Sequence, residues 1–367
     1  MIMQMRISAL TLLTLTAAIA APAAADTLSE RANRGLVEVV TGSTAGSSAR
    51  IAEDLADVLD DGATRRVLPV VGKGSLQDLI DLKALRGVDL AIVQTDVLDH
   101  VKTQRALGIE SGVTYVAKLY NEEFHLLARG DIHAVADLAG KKVNFGSQGD
   151  GTTITGPRLF ELLKVKVEAT SYGQAMALEK LKSGQIAAMA FVTAKPAPLF
   201  TNLRAANGLH FVAVPLKGDM AASYSPARLT AEDYPGLAGS APVDTVAVGT
   251  VLVVANLVPE SERYRNAASF VEAFFTQFPK LLEAPHHPKW SEVNLAAELL
   301  GWRRFAPADA WIKRNGAAGA VAMSEDQMRD IFVKFLDERS KVSGGATLSS
   351  DQKDQLFAQF KRWQDSD

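Results

Sequence analysis

Short β-branched runs alternate with helix-like runs along most of this chain, and glycine, serine and threonine sit at nearly every junction. Val37–Thr41 reads as a strand, and Ile51, Leu55, Val58 and Leu59 then recur at helical spacing. Val67–Val71 followed by Leu76, Leu79 and Ile80 repeats the pattern, as does Asp89–Val93 followed by Val97, Leu98 and Val101. Strands separated by single helices build a mostly parallel α/β sheet with right-handed crossovers. The plan restarts at Lys142–Phe145, which is followed by a helix carrying Leu159, Phe160, Leu162 and Leu163. A second helix over Ala175–Leu181 and a strand over Ile186–Val192 come next. Residues 215–242 hold Pro215, Pro226, Pro235 and Pro242 and read as irregular, since proline interrupts pairing. Val243–Val254 is strongly strand-forming and returns the chain to the first lobe, where a helix over Tyr264–Phe278 covers it.

A length of 367 residues fits two lobes rather than one core. The expected division is residues 26–127 plus 243–316 for the first lobe and 128–242 for the second. Hinge crossings are expected near 126–130 and 240–245. The last stretch, 317–367, has an apolar face at Met328, Ile331, Phe332, Phe335 and Leu336. A Gly344-Gly345 break and a second face at Leu356, Phe357, Phe360 and Trp363 complete a helical hairpin. At the other end, Arg6 precedes a short apolar run to Ala20 and an Ala23-Ala24-Ala25 exit. That is the form of a secretory leader, too short to span a bilayer, so residues 1–25 are expected to be removed in the periplasm.

Composition narrows the chemistry. There are 39 basic and 42 acidic side chains, with no basic cluster to attract nucleic acid. Cysteine is absent, which removes disulfides, thiolate metal sites, cysteine nucleophiles and a lipid anchor at the leader exit. Gly72-Lys73 lacks the upstream glycine of a phosphate loop, and Gly42–Gly46 has Thr44 where a nucleophile elbow needs serine. His286-His287 have no third ligand at metal spacing. No catalytic pair, cofactor or metal is expected. What remains is a stock of uncharged donors at strand–helix junctions: Ser43, Thr44, Gly46, Ser75 and Thr95 from one lobe, and Ser147, Gly149, Gly151, Thr152 and Thr153 from the other. Helix N-termini at the carboxyl ends of strands suit carboxylates and phosphates. Lys73 and Lys195 lie beside these junctions, and Asp96 offers a place for an ammonium group.

Val40–Gly46, Gly74-Ser75, Val88–Asp96, and Tyr120-Asn121-Glu122 followed by His125 resemble the TAXI group, the extracytoplasmic solute-binding proteins of TRAP transporters. The resemblance continues through Leu138–Val143, Gly146–Thr152 and Val243–Val254 and covers roughly residues 35–316. It implies an α/β, two-lobed, type II periplasmic binding fold, here with a C-terminal helical extension. It also implies a monomer that binds a small carboxylate or amino acid such as glutamate between its lobes and delivers it to a TRAP permease. Matched motifs add Gly42, Gly74 and Gln94 to the ligand-binding expectation, and Thr193 and Lys195 at the end of the 186–192 strand complete it. The chain departs from the family's pattern at Ser48 and Ala49, where two tyrosines are usual, and at Asp78, Lys195 and Ala306, where asparagine, glycine and histidine are usual. An ABC-type binding protein, a protein that presents its ligand to a sensor, and an exported enzyme are the alternatives.

Overall fold

The computed structural model describes residues 33–104, 108–204, 208–239, 241–320, 349, 352–354 and 356–358. The expected leader and most of the expected hairpin lie outside those residues.

The described strands form one ten-stranded sheet. In its first half β1 (Leu36–Thr41) lies between β2 (Arg66–Val71) and β3 (Val88–Gln94), all parallel. Two long strands follow. β10 (Val243–Ala255) runs antiparallel to β3, and β4 (Val113–Arg129) runs antiparallel to β10. The second half continues from β4 to β7 (Ala188–Thr193), β5 (Lys142–Asn144) and β6 (Glu168–Thr170), with β8 (Leu209–Phe211) also on β4. The α/β fold class expected from the sequence is the one the chain adopts.

Each half is covered on both faces. α1 (Ser48–Leu59) and α7 (Glu262–Leu281) place Ile51, Leu55, Phe270 and Phe274 on one side of the first half, around Trp290. α2 (Ser75–Ala84) and α3 (Thr95–Gln104) place Leu79, Leu82, Val97 and Leu98 on the other. Every residue of β3 is buried in consequence, which is why Leu90–Val93 is apolar without alternation. In the second half α4 (Thr152–Leu162) contributes Leu159 and Phe160 to one layer, and α5 (Gln174–Lys182) contributes Leu178 and Leu181 to the opposite one. A short α6 (Pro198–Thr201) and a C-terminal α8 (Ala306–Ala320), bent at Gly316, complete the helices used below.

One stretch differs from expectation. Residues 215–242 contain a strand, β9 (Ser225–Leu229), whose Pro226 sits opposite Val246 of β10. β9 pairs with β10 alone, so it is an edge strand, where a missing N–H is tolerated.

β4 and β10 exchange partners at the same level. β4 pairs with β10 as far as Glu123 and with β7 from Glu123 onward, while β10 takes up β9 from Ala247 downward. Glu123 and Ala247 are opposite each other. The expected crossings, near 126–130 and 240–245, lie a few residues further into the second half.

Candidate functional site

The loops that end β1, β2 and β3 in the first half face the loop before α4 in the second. A cavity of about 40 Å³ remains between them, lined by Gly42, Ser43, Gly46, Ser48, Lys73, Gly74, Ser75, Gln94, Glu122, Asp150 and Gly151, with Ile92, Val93, Phe191 and Thr250 as walls. Gly42, Ser43, Gly46, Gly74, Ser75, Gln94 and Gly151 were expected there. Thr44, Thr95, Asp96, Ser147, Gly149, Thr152, Thr153, Thr193 and Lys195 were expected too and are not among its lining.

Glycine is required where the halves come closest. Gly74 has φ +124°, and a methyl group on it would lie 2.8 Å from Cα of Asp150 in the other half. A methyl on Gly151 would collide with Oε1 of Gln94.

Four helices start near the meeting line, and three of them already carry a carboxyl group of the chain. Oδ1 of Asp78 accepts from the N–H groups of Lys73 and Gly74 at 3.2 and 3.3 Å, at the start of α2. Asp96 occupies the first turn of α3. Oδ1 of Asp150 accepts from N–H of Thr152 at 2.9 Å, at the start of α4. α1 has no acidic residue in its first turn, and α4 has none either but is capped from outside by Asp150, so of these four helices α1 is the one whose N–H groups are left for an external acceptor.

Several expected site residues instead join the two halves. The hydroxyl of Thr193 accepts from N–H of Ser47 at 3.0 Å, and the Ser47 hydroxyl donates to the carbonyl of Ala194 at 2.9 Å. N–H of Gln77 donates to the carbonyl of Gly149 at 3.1 Å. Asp96 is a correction to the sequence reading. Its Oδ2 accepts from the hydroxyls of Thr155 and Tyr224, at 2.7 and 3.0 Å, so it clasps the second half rather than facing a solute. Lys195 is another, because its Nζ donates to Asp233 at 3.0 Å and to the carbonyl of Arg228 at 2.7 Å, away from the cavity. The hydroxyl of Thr152 is taken by N–H of Val192 at 3.1 Å, and that of Thr153 donates to the carbonyl of Asp150 at 2.5 Å.

A model of the NMT1-like family matches residues 39–301, which is most of the chain and includes both halves of the cavity. The chain belongs to the NMT1-like family. Solved structures similar to it include the periplasmic binding protein BugD, at 16% identity and a TM-score of 0.46, covering 78% of this chain and 95% of that one. The alkanesulfonate-binding protein SsuA from Xanthomonas axonopodis pv. citri, bound to MOPS, is 16% identical with a TM-score of 0.42, covering 88% and 83%. An ABC uptake transporter substrate-binding protein from Streptococcus pneumoniae, with bound histidine, is 15% identical with a TM-score of 0.43, covering 72% and 93%.

Two acids that line the cavity of this NMT1-like chain were absent from the expected site. Glu122 is 6% exposed, and its Oε2 accepts from Nε2 of Gln94 at 2.8 Å. Asp150 stands across from it in the loop before α4. The available signal was a Glu122-Glu123 pair inside a stretch, β4, that is otherwise rich in strand-forming apolar residues, because burying a carboxylate is costly without a partner.

Burial pushes the carboxyls of Glu122 and Asp78 up to about 8, and that of Asp150 up to about 6. Folding therefore favours their protonated forms. The associated stability is fully present below the ordinary values of 4.5 for Glu122 and 3.8 for the aspartates, and it is lost as pH rises through 6 and then 8. Calorimetry is expected to show the melting temperature falling between about pH 5 and pH 9. Glu122→Gln is expected to flatten the upper part of that profile, and an unchanged slope would remove Glu122 as its source.

Proposed function

We propose that this protein is an extracytoplasmic solute-binding protein that closes its lobes on a small carboxylate-bearing solute and delivers it to a TRAP-type permease. The observation that carries the reading is the cavity at the junction of the two sheet halves, with interlobe hydrogen bonds around it and two continuous strands linking the halves. Such an arrangement holds a solute when shut and releases it by rotation about the strands. The exchange of partners by β4 and β10 at Glu123 and Ala247 supports a hinge at that level. Membership of the NMT1-like family supports the solute-binding role. The order and spacing of the motifs between Val40 and Val254 support TRAP as the partner system. The leader-like residues 1–25 support export, and no helix among the described residues is long and apolar enough to cross a membrane. A carboxylate on the solute would meet the free N-terminus of α1 and the hydroxyls of Ser43 and Ser48, with Lys73 at the same cavity.

The test is a thermal-shift and calorimetric screen of the chain without residues 1–25. Acids and their neutral amide analogues are compared, and small-angle scattering follows the lobes. A solute at 100 times its dissociation constant is expected to stabilise the protein by about 2.7 kcal/mol and to compact it. Amides that bind as tightly as the acids would remove the carboxylate. Scattering unchanged by any saturating solute would remove closure.

A further inference from the structure

We propose that Glu122 captures the solute as a neutral acid, its O–H donating a hydrogen bond to the solute's carboxylate, so that binding depends on a proton held by the protein. This rests on the solute-binding reading above and adds the protonation state under which that site works. At about 40 Å³ the cavity holds only a few water-sized groups. A carboxylate seated against α1, Ser43, Ser48 and Lys73 therefore also meets the opposite wall, built by Gln94, Glu122 and Asp150. Gln94 and Glu122 are 4% and 6% exposed, and Nε2 of Gln94 donates to Oε2 of Glu122 at 2.8 Å. That bond takes one oxygen of the carboxyl. The other, Oε1, has no hydrogen-bond partner among the described residues, and the side chain forms part of the cavity wall.

Two ionised carboxylates in so small a space repel each other, whereas one proton between them makes a charge-assisted hydrogen bond. The proton belongs on Glu122. An ordinary carboxylic acid ionises near pH ~4, but burial pushes Glu122 up to about 8. The groups that face Glu122 act in the same direction. Glu123 beside it on β4 and Asp150 from the loop before α4 both disfavour a second negative charge. Tyr120, two residues back on β4, is itself kept neutral by burial. Lys289 opposes them through space, but its Nζ is held by Glu123 and Glu292, at 2.7 Å each. Lys73 lines the cavity from the loop after β2 and is exposed. A protonated carboxyl has one hydrogen to give, so Glu122 joins Ser43 and Ser48 as a donor instead of repelling the solute. Ionising it reverses that role, and the solute is then released into an alkaline medium.

The experiment is calorimetric titration of the chain without residues 1–25 with acetate, propionate, glutarate and L-glutamate, and with acetamide and propionamide as uncharged probes. Each is measured at about pH 7 and about pH 9, in buffers of different ionisation heat. At least one carboxylate is expected to bind about tenfold more weakly at the higher pH, because about a tenth of the molecules then carry the Glu122 proton. Binding at that pH is expected to take up close to one proton. Asp150, at about 6, contributes only at the acid end of the range. Glu122→Gln keeps a donor that does not titrate and is expected to level the profile. Glu122→Leu has no donor and is expected to lose about tenfold in affinity at pH 7. A level profile in the parent would overturn the proposal and leave carboxylate binding standing. So would an alkaline loss undiminished in Glu122→Gln, or Glu122→Leu binding like the parent at pH 7. Binding of the amides where no carboxylate binds, or failure of every solute, would remove this proposal and the carboxylate reading together.

Discussion

Replacing Gly74 by alanine is expected to weaken solute binding by about 100-fold or more in a protein that still folds. Two costs act at this position, and they separate. The first is backbone strain at φ +124°, about 1–3 kcal/mol, which is present whether the lobes are open or shut. The second exists only when the lobes meet, because the added methyl would lie 2.8 Å from Cα of Asp150. Asp150 contributes backbone there, which cannot swing aside as a side chain would. The closed state thus bears the second cost alone, and about 2.8 kcal/mol suffices for a hundredfold loss. Gly62→Ala is the control: Gly62 also has positive φ, at +68°, but a methyl there meets nothing within 4 Å. It is expected to lower stability and leave affinity unchanged. Calorimetric titration of the three proteins separates the effects, and a Gly74→Ala variant binding like the parent would show that the lobes do not close through this contact.

Lys289→Met is expected to destabilise the fold by about 3–5 kcal/mol in urea titrations. Lys289 is 5% exposed, and its Nζ lies 2.7 Å from both Glu123 and Glu292. Burial alone would lower its pKa, but the two carboxylates outweigh burial and the net shift is upward, so the side chain stays charged. Removing the cation leaves Glu123 buried at the level where β4 changes partners. The other oxygen of Glu123 accepts from N–H of Lys195 at 3.0 Å, and Glu292 accepts from N–H of Asn121 at 3.1 Å, so both halves of the sheet feel the loss. Adding Glu123→Gln to Lys289→Met is expected to recover a large part of it. A double variant no more stable than the single one would locate the cost in packing instead.

The helices and strands were legible because their apolar residues repeat at periods that only one kind of backbone can use. The irregular reading of 215–242 failed at β9 because Pro226 normally marks the end of pairing, and the sequence does not say that this strand lies at an edge. The loops of the site were legible for a similar local reason: glycine and serine at a strand end announce close approach and free N–H groups. What each polar side chain does was less so. Asp96 sits where a solute-facing residue would sit, yet its partners are Thr155 and Tyr224, 59 and 128 positions further along. Lys195 is claimed by Asp233 in the same way. Such assignments depend on which surfaces meet when the halves come together, and local spacing carries no record of that. Asp78 and Asp150 were hidden by the same rule that suggested an anion site, since a helix N-terminus attracts a carboxylate whether or not it belongs to the chain.

The continuity of β4 and β10 through both halves also governs how the molecule comes apart. Beads on a flexible string melt one at a time, each with its own transition. Here Val113–Glu123 and Ala247–Ala255 are central strands of one half, and the same two strands continue as the partners of β7, β8 and β9 in the other. Unzipping either half strips backbone pairing from strands that the other half is still using. Neither half owns a complete sheet of its own, so losing one takes away part of the other, and heat or denaturant is expected to act on the pair as a single cooperative unit, seen as one calorimetric transition.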